Sequence, residues 1–445
     1  MKVYLKNLGC DKNLVDSEIM LGQLDENLYT ITSDIEEAEI AIINTCGFIM
    51  DAKVESINYI LEIAEYKESG TLKALIVAGC LSQKYREELL AEIPEIDGII
   101  GTNEYHLINQ VINEAVAGCR PSLIDSNLFS YANPQKRVQL TPRHYRYIKI
   151  AEGCNNHCSF CVIPQIRGTY RSRSIETVLI EAQDAVANGA KELILVAQDS
   201  SYYGNDLYGK PMLATLIKEI LQISELRWLR VHYLYPGGMT DELIDLFANN
   251  PKLVKYIDLP LQHSEEKILK RMVRPGYQAD IIELINKIRI RVPQVAIRTS
   301  IIVGFPGETE EDFRQLSKFV KEMEFDRLGV FAYSDEEDCA AYKIGDKVPE
   351  DIKESRVLRL MNIQNKIAKS KNSGLIGSVQ QVIIDEYDEE NSQYIGRTEY
   401  DAPEIDGQVF ITNLDAKVGE IVTVRITHAF DYDLVAEGMT GESTK

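Results

Sequence analysis

Three cysteines lie close together near the middle of the chain, in the order Cys154, Cys158 and Cys161. This C-x3-C-x2-C spacing follows a run that predicts a β-strand, so the three thiolates share one short loop, and we call them the loop trio. Three thiolates can hold three irons of a four-iron cluster, which leaves the fourth iron free to bind another molecule. A structural zinc site normally has four ligands, and His157 is awkwardly placed as the fourth because it adjoins Cys158. Zinc, or cysteines with a purely structural role, are the alternatives.

A second set of cysteines, the sheet trio, consists of Cys10, Cys46 and Cys80. Their spacings of 36 and 34 residues match no compact metal motif. Each one, however, ends a run that predicts a strand, and the carboxyl ends of parallel strands meet at one edge of a sheet. The trio can therefore converge in space, and the glycine beside each cysteine lets the backbone approach a bulky inorganic group. Three buried free thiols are the alternative, and an ordinary structural role is expected for Cys119 and Cys339.

The first 118 residues alternate between strand-like and helical segments, which predicts a parallel sheet built from βαβ units. The predicted strands are VYLKNLGC, AEIAIINTC and LKALIVAGC, and the predicted helices lie near 14–28, 51–68 and 83–92. Residues 119–144 are rich in proline, serine, asparagine and basic residues, which predicts a connection between domains.

From Tyr145 onward six further strand–helix units follow. The predicted strands are YIKIAEGC, ELILVAQDS, LRWLRVHYLY, KYIDLPLQ, VAIRTSIIVGF and DRLGVFAYS, with helices near 174–188, 211–222, 240–248, 264–272, 278–291 and 309–324. Six units predict a partly closed barrel, because a full one needs eight. After a helix at 350–370, four short strand-like runs from about Leu375 predict a small all-β barrel. The predicted domains are therefore 1–135, 140–372 and 375–445, in an α/β multidomain protein.

Composition limits the class of protein further. The chain is 45% hydrophobic and 26% charged, which is typical of a soluble globular protein, and no apolar stretch approaches the roughly 20 residues that span a bilayer. The N-terminus does not resemble a secretion signal, so we expect a cytoplasmic protein without membrane contact. In that reducing compartment, spaced cysteines more often bind metal than form disulfides. The net charge of −21 argues against a non-specific nucleic-acid binder, although a local basic surface remains compatible with an acidic total.

The loop trio, with Phe160 before its last cysteine, resembles the signature of the radical S-adenosylmethionine superfamily. The resemblance implies a partial (β/α)6 barrel and a 4Fe-4S cluster whose open iron chelates the methionyl part of S-adenosylmethionine. One electron from the cluster then breaks the sulfonium C–S bond and releases a 5′-deoxyadenosyl radical. No side-chain acid or base is needed for the hydrogen-atom removal that follows, so the catalytic groups are the clusters themselves.

Several other segments match that superfamily at predicted strand ends. The turn after Val303 resembles its adenine-contacting turn, and polar side chains at two more strand ends are placed to meet the ribose or the amino group. The implied cofactor-binding residues are Phe160, Gln198, Asp199, Gln262, Gly304, Phe305, Pro306, Gly307 and Glu308. The turn can also be read as an ordinary strand-to-helix connection, and His263 as a structural histidine. Arg167 and Arg171 are cations beside the cluster or solvated charges, and the sequence does not decide between these roles.

The order of the three predicted domains resembles the methylthiotransferase family over essentially the whole chain. In that family the sheet trio would bind a second 4Fe-4S cluster, again with one open iron, that carries or receives the inserted sulfur. The C-terminal part would be a TRAM domain. Two S-adenosylmethionine molecules are used, one to methylate the sulfur and one to give the radical.

Two branches of that family compete, one acting on transfer RNA and one, RimO-type, on an aspartate of a small-subunit ribosomal protein. The motifs LGC-x-KNLVDSE, AQDSSYYG and HYLYP resemble the ribosomal-protein branch, although Asp11 stands where we expect proline. Residues 375–445 carry 15 acidic and four basic side chains, a net charge of −11. Such a domain suits a basic protein partner better than an RNA backbone, although an acidic surface that only aids solubility fits equally well.

The sequence therefore predicts methylthiolation of the β-carbon of an aspartate in small-subunit ribosomal protein twelve. Nucleic acid is not expected as the direct substrate, and the electron donor is expected to be a flavodoxin or a ferredoxin. The first alternative is a transfer-RNA methylthiotransferase, which predicts a basic face on the first two domains. The second is a non-catalytic iron–sulfur electron carrier, which leaves the barrel and its cofactor-like turns unexplained.

Overall fold

The computed structural model describes residues 1–68, 70–124, 135–274 and 278–439. Parts of two sequence predictions fall outside these ranges, namely the section 125–134 of the interdomain connection and the last residues of the third domain, 440–445. No helix among the described residues combines the length and the apolar character needed to cross a membrane.

The N-terminal region contains a six-stranded, all-parallel sheet in the order β2-β1-β3-β4-β5-β6. Its elements are β1 (Lys2–Asn7), α1 (Asp11–Gln23), β2 (Thr30–Thr32), β3 (Ile40–Thr45), α2 (Met50–Glu68), β4 (Ala74–Gly79), α3 (Cys80–Lys84), α4 (Arg86–Glu92), β5 (Gly98–Ile100), α5 (Ile108–Val116) and β6 (Ser122–Leu123). Strands β3 and β4 are buried at every position because helices cover both faces of the sheet, which explains their unbroken apolar sequences. The predicted parallel sheet is confirmed.

The central region contains six parallel strands with helices between them. Its elements are β7 (Tyr145–Lys149), β8 (Ala151–Glu152), α6 (Ile163–Arg167), β9 (Arg171–Ser172), α7 (Ile175–Ala187), β10 (Glu192–Val196), α8 (Asn205–Tyr208), α9 (Leu213–Ile220), β11 (Trp228–Val231), α10 (Asp241–Asn249), β12 (Tyr256–Asp258), α11 (Glu266–Arg271), α12 (Gln278–Arg291), β13 (Ala296–Val303), α13 (Glu310–Met323), β14 (Arg327–Ala332) and α14 (Glu350–Ser373).

Hydrogen bonding divides the six strands into two sheets, β11-β10-β7 and β12-β13-β14. A parallel bridge between Leu229 and Leu253, and a hydrogen bond of 2.9 Å from the Leu234 amide to the Asp258 carbonyl oxygen, join them into one arc. The outer faces of the strands pack on the helices in the largest apolar core. This arrangement confirms the predicted partial barrel.

Helix α1 of the N-terminal region packs directly on two strands of the barrel. Its apolar residues Val15, Ile19 and Met20 share one buried cluster with Tyr147 of β7 and Val196 of β10. Its polar residues are buried as well, and they face charged groups of the central region that are described below. The sequence does not predict this contact. A helical pattern of apolar residues shows that one face of α1 is buried, but not which domain buries it.

The C-terminal region is a closed five-stranded barrel in the order β15-β16-β17-β19-β18. Its strands are β15 (Val379–Asp388), β16 (Gln393–Thr398), β17 (Val409–Thr412), β18 (Ile421–Ala429) and β19 (Leu434–Gly438). The sequence predicted the first four strands and missed β19, which is only five residues long and follows an Asp-rich turn.

The C-terminal barrel covers the amino ends of the central strands, and the first residue of each of the six strands lies against it. Two of these contacts are ion pairs, Glu192 with Arg397 and Arg327 with Asp401. Two are tyrosine hydroxyls that donate to carboxylates, Tyr145 to Glu404 (3.0 Å) and Tyr256 to Asp406 (2.6 Å). The remaining two, Trp228 and Ala296, lie in one apolar cluster with Ile383 and Ala402. Because parallel strands present their ligand-binding ends on the opposite side, this barrel lies at the end of the domain away from the loop trio.

Candidate functional site

The loop trio lies just beyond the carboxyl end of β7, between the two strands of the short hairpin β8–β9. The Cys154 amide donates to the Gly168 carbonyl oxygen (3.2 Å), and the Cys161 amide to the Cys158 carbonyl oxygen (3.0 Å). Gly153 has φ +78°, and a Cβ there would lie 2.2 Å from the Thr169 carbonyl oxygen. These contacts hold both ends of the loop, so the spacing of the cysteines is built into the fold.

The thiols of the loop trio are surrounded by hydrogen-bond donors. The amides of Asn156 and Ile163 point at the sulfurs of Cys154 (3.4 Å) and Cys161 (3.5 Å). The guanidinium of Arg274 donates to the sulfur of Cys158 (3.6 Å). Burial raises the pKa of Cys161 to about 12 and also raises the pKa of Cys154, while the amide donors act in the opposite direction. Donors aimed at sulfur are what thiolate ligands of an iron–sulfur cluster use, and ligation by iron removes the thiol proton.

The structure brings the sheet trio together at the carboxyl edge of the N-terminal sheet. Cys10 caps the start of α1, Cys46 follows β3, and Cys80 is the first residue of α3. The side-chain oxygen of Asn13 lies 3.9 Å from the sulfur of Cys10 and 3.7 Å from that of Cys80. Burial raises the pKa of Cys46 to about 11, and the charges of Cys80 and Cys10 add to this rise.

Two of the glycines beside the sheet trio also have a role in the fold, while the predicted close approach of an inorganic group stays a prediction. A Cβ at Gly47 would lie 2.8 Å from the backbone nitrogen of Leu81, and one at Gly79, where φ is +98°, 2.6 Å from the Thr45 carbonyl oxygen. These glycines let the loops that carry Cys46 and Cys80 touch each other. Because these glycines have no side chain, the two loops pack closely and bring Cys46 and Cys80 near each other.

A buried cluster of charges connects the two trios. Arg167, at the end of the helix that follows the loop trio, donates to the sulfur of Cys80 (3.3 Å) and to the side chain of Asn13 (2.5 Å). The same guanidinium pairs with Asp16 (2.9 Å) and Glu152 (3.0 Å), and Lys149 pairs with both carboxylates.

The four charged side chains of this cluster, Lys149, Glu152, Arg167 and Asp16, are each at most 2% exposed. Burial alone would raise the pKa of Glu152, but the charges of Arg167 and Lys149 outweigh it and hold that pKa well below its usual range. Arg167 is therefore a buried, paired cation and not a solvated charge, which was one of the two roles that the sequence left open. Arg171 also has a structural partner, since it donates to the side chain of Asn103 (3.1 Å).

Gln198 and Asp199 follow β10 and lie beside the loop trio. The Gln198 amide donates to Glu152 (2.7 Å), whereas its side-chain oxygen is buried without a hydrogen-bond partner among the described residues. Asp199 accepts from Asn156 of the cysteine loop (2.8 Å) and from Ser201 (2.6 Å). An unpartnered buried acceptor next to carboxylates fits a ligand that brings an ammonium group.

The turn Gly304–Glu308 is held by its own glutamate. Glu308 is buried and accepts hydrogen bonds from the amides of Gly304 (2.6 Å) and Phe305 (3.3 Å), and it pairs with Arg356 (3.0 Å). A Cβ at Gly304 would collide with the side chain of Lys353 at 2.3 Å. The glutamate side chain therefore shapes the turn, and a ligand can meet this turn through its backbone.

Three further residues of interest lie near this turn. Phe160 of the cysteine loop packs in one apolar cluster with Phe305. Gln262 has a left-handed backbone (φ 72°) and pairs with Ile301 across a parallel bridge. His263 is fully buried, and its Nδ1 accepts from the Glu265 amide (3.0 Å), as its structural interpretation predicts.

Sequence reasoning missed several residues of the site. Asn13 and Arg274 contact cysteine sulfurs, yet an isolated asparagine or arginine carries no pattern that would indicate this. Asp11, which the resemblance did not expect, pairs with Lys12 (3.1 Å) and accepts from the hydroxyl of Tyr233 (3.1 Å). Cys339 is buried in one apolar cluster with Cys80, Val162 and Ile166, so a cysteine without any motif lies in the region between the two trios.

Two trios of thiols fit clusters that bind through sulfur, and the donors aimed at those sulfurs support this fit. In the part of the chain that the structure describes, no three His, Cys, Asp or Glu side chains are grouped to hold a single metal ion.

Comparison with known proteins gives matches along the whole chain. The Radical SAM superfamily matches residues 148–320, the uncharacterized protein family UPF0004 matches residues 2–101, and the TRAM domain matches residues 376–438. The chain is 49% identical to the ribosomal protein uS12 methylthiotransferase RimO of Geobacter sulfurreducens, over 98% of each chain. It is 48% identical to the protein of the same name from Natranaerobius thermophilus, over 99% of this chain and 100% of that one.

A solved structure shows the same fold at low identity. The radical S-adenosylmethionine methyltransferase TsrM from Kitasatospora setae is 15% identical, with a TM-score of 0.57 over 74% of this chain and 72% of that one. The superfamily match implies a 4Fe-4S cluster and S-adenosylmethionine. The family resemblance seen in the sequence is confirmed, and the chain belongs to the RimO family of ribosomal protein uS12 methylthiotransferases, within the radical S-adenosylmethionine superfamily.

Proposed function

We propose that this enzyme methylthiolates the β-carbon of an aspartate in ribosomal protein uS12, with two 4Fe-4S clusters and two molecules of S-adenosylmethionine. Relatives that carry the name of this activity match the chain almost from end to end. The observation in the structure that carries the proposal is the link between the two trios through Arg167. Six residues after Cys161, this side chain already touches the sulfur of Cys80.

The chain's own residues hold and separate the two clusters. The loop trio would ligate one cluster and the sheet trio the other, each through three sulfurs. When bound, the first cluster and S-adenosylmethionine supply a 5′-deoxyadenosyl radical, and the second cluster supplies the sulfur. The short helix α6 lies between the trios and is buried on its inner face at Ile166 and Arg167. Helix α6 is five residues long, or about 7 Å, so the residues that would hold the two clusters lie close to each other in the fold.

The residues at the strand ends would hold S-adenosylmethionine. The unpartnered oxygen of Gln198 is placed to accept a hydrogen bond from the ammonium of the methionyl part, with Glu152 beside it. Asp199 follows β10 and Gln262 follows β12, with β11 between these two strands, and both side chains would meet polar groups of the ribose. Phe160 and the Gly304–Glu308 turn, including Pro306 and Gly307, would border the adenine, with Glu308 acting through the backbone that it holds.

The charge of the C-terminal barrel supports a basic protein partner less strongly than the sequence indicated. Some of its acidic side chains are not available to a partner, because Asp401, Glu404 and Asp406 contact the central domain. An exposed acidic segment remains at the turn between β15 and β16, from Glu386 to Glu390. This segment is the part of the barrel that would attract a basic partner. A ribosomal substrate places the reaction in the cytoplasm, where a flavodoxin or ferredoxin would supply the electrons.

Mass spectrometry of uS12 from a strain that lacks the gene tests the proposal directly. We expect uS12 to lose the mass of one SCH3 group in place of hydrogen, and to regain it when the wild-type gene is returned. A matched strain that carries Cys158→Ala should stay unmodified, whereas Cys119→Ala, an exposed cysteine outside both trios, should restore modification. Nucleoside analysis of transfer RNA from the same strains tests the alternative. Unchanged uS12 together with a missing methylthio nucleoside would contradict the proposal.

The number of clusters has its own measurement. Anaerobically reconstituted wild-type enzyme should contain about eight irons per chain, four for each cluster. Removing either trio should halve that number. About four irons in the wild-type enzyme, or zinc in their place, would refute the two-cluster proposal.

A further inference from the structure

A basic groove runs along the outside of the central domain, between α13 and α14. It has a volume of about 540 Å³. Its lining consists of Arg314, Gln315, Ser317, Lys318, Lys321, Arg359, Asn362, Ile363 and Lys366. Five of these nine side chains are cationic, and none is acidic, although the chain as a whole has a net charge of −21. A local cluster of positive charge on a protein whose net charge is negative indicates a surface for an anionic partner.

The cations of the groove are available to a ligand. Arg314 pairs with Glu311, Lys318 with Glu322 and Arg359 with Glu310, but these are exposed pairs at the rim, with side chains 50–70% exposed. Such exposed ion pairs contribute little to stability, so their cations can turn to a ligand instead. Lys321 and Lys366 form no ion pair within the described parts of the chain. The other basic residues of α14 from Arg356 onward lie outside the groove and are paired, Arg356 with Glu308, Lys369 with Asp431 and Lys371 with Asp326, so the positive surface is confined to the groove itself.

The spacing of the cations matches an extended polyanion. On α13 they recur at intervals of four and three residues, and on α14 at an interval of seven, so each row follows one face of its helix. Each row is about 10 Å long, from the rise of 1.5 Å per residue. Packed helices lie 8–10 Å apart, so two parallel rows of charge can flank one strand of phosphates. Gln315, Ser317 and Asn362 add neutral donors between the rows.

One end of the groove extends away from the Gly304–Glu308 turn, which favours one of two kinds of anionic partner. Helix α13 begins after the Gly304–Glu308 turn and runs away from it, so Lys321 lies about 16 Å along the helix from Glu310. An acidic electron-transfer protein would need to approach the clusters, whereas α13 leads away from the turn that borders the proposed cofactor site. A long polyanion that belongs to the same particle as the substrate has no such requirement.

We propose that this groove binds the phosphate backbone of ribosomal RNA in the particle that carries the substrate protein. The inference rests on the proposed function, because that function names a substrate which sits on RNA. The acidic C-terminal barrel and the basic groove then have different tasks, the first toward the ribosomal protein and the second toward the RNA around it. Affinity at the groove comes from phosphate neutralisation and is therefore independent of sequence and sensitive to salt.

The test compares two triple variants of the full enzyme with equal change in charge. The groove variant is Lys318→Gln, Lys321→Gln and Lys366→Gln, and the control variant is Lys73→Gln, Lys136→Gln and Lys218→Gln, three exposed lysines elsewhere. Binding of a fluorescein-labelled RNA duplex is measured by anisotropy between 50 and 200 mM salt. We expect the groove variant to lower the slope of log K against log salt by about three, one for each lysine. The control variant should leave the slope unchanged.

Activity is then measured on free uS12 and on purified small ribosomal subunits, with dithionite as the reductant. We expect the groove variant to lose at least tenfold in kcat/KM on subunits and nothing on free uS12. Equal activity of both variants on subunits, or an unchanged salt slope, would overturn the inference. A loss that appears only when flavodoxin replaces dithionite would overturn it in favour of an electron-donor surface. If the wild-type enzyme modifies neither substrate, the proposed function fails, and the salt slope alone still decides whether the groove binds RNA.

Discussion

Replacing Arg167 with methionine should destabilise the enzyme severely. The guanidinium is 2% exposed and contacts Asp16 at 2.9 Å and Glu152 at 3.0 Å. At an effective dielectric constant of 20, each contact contributes an attraction of about 5–6 kcal/mol before desolvation is subtracted. The cluster holds two cations and two carboxylates, so the methionine leaves one buried negative charge without a partner. Breaking a buried pair in this way costs about 3–5 kcal/mol, which is a large share of the stability of an ordinary domain.

The assay is unfolding in urea, followed by circular dichroism on the anaerobically purified enzyme. The variant Arg167→Met should lower the free energy of unfolding by about 3–5 kcal/mol, and Arg167→Lys by less, because it keeps the charge. The double variant Asp16→Asn with Arg167→Met restores equal numbers of positive and negative charges. We therefore expect it to be more stable than Arg167→Met alone.

Two results would refute this reasoning. One is a free energy of unfolding for Arg167→Met within 1 kcal/mol of the wild-type value, since surface substitutions have effects of that size. The other is a double variant whose loss equals the sum of the two single losses, because groups that pair directly must couple. A matched control is Arg314→Met, since Arg314 makes an exposed pair and should change stability by less than 1 kcal/mol.

Four further predictions follow from the structure. Replacing the loop trio by alanine should abolish 5′-deoxyadenosine formation, measured by chromatography under reducing conditions, and any remaining product would contradict the assignment. Replacing the sheet trio should keep 5′-deoxyadenosine formation but stop sulfur insertion into uS12, and intact insertion would contradict the second assignment. Burial would raise the pKa of Glu181, but Arg173 and Arg137 lower it to about 2, so its contribution to stability is present above pH 4.5 and is lost as the pH falls toward 2. Glu181→Gln should therefore flatten the dependence of the urea midpoint on pH below 4.5, and an unchanged slope would contradict this. Asp401→Asn removes the partner of Arg327 and should speed proteolytic release of the C-terminal barrel, whereas Asp415→Asn on its exposed surface should not.

Much of the fold could be predicted because its signals are local. The buried strands β3 and β4 are unbroken apolar runs, and all six barrel strands stand out between amphipathic helices. Short elements such as β5, β6 and the hairpin β8–β9 carry too few residues for a periodic pattern. Helix α1 was placed three residues late, because its polar residues, Lys12 and Asn13 among them, read as exposed although another domain covers them.

The cysteines of the site were predictable, and their surroundings were not. Six cysteines stand in recognisable contexts, either in a compact motif or at strand ends. Arg167 looked like one of several charges in IRGTYRSR, and only the fold brings it to Cys80, which is 87 residues away in the sequence. The acidic count of the C-terminal region could not tell which carboxylates contact the central domain, as Asp401, Glu404 and Asp406 do, since a sum of charges does not show which of them are already paired.

The position of the C-terminal barrel at the amino ends of the strands has a consequence for the order in which the cofactor and the substrate bind. Among the described residues, that barrel covers the amino ends of the six strands and α1 covers part of the arc, which leaves the carboxyl ends of the strands as a route into the centre. If the ribosomal protein of the proposed function docks over these carboxyl ends, it would obstruct that route. We therefore expect S-adenosylmethionine to bind before the protein and 5′-deoxyadenosine to leave after it.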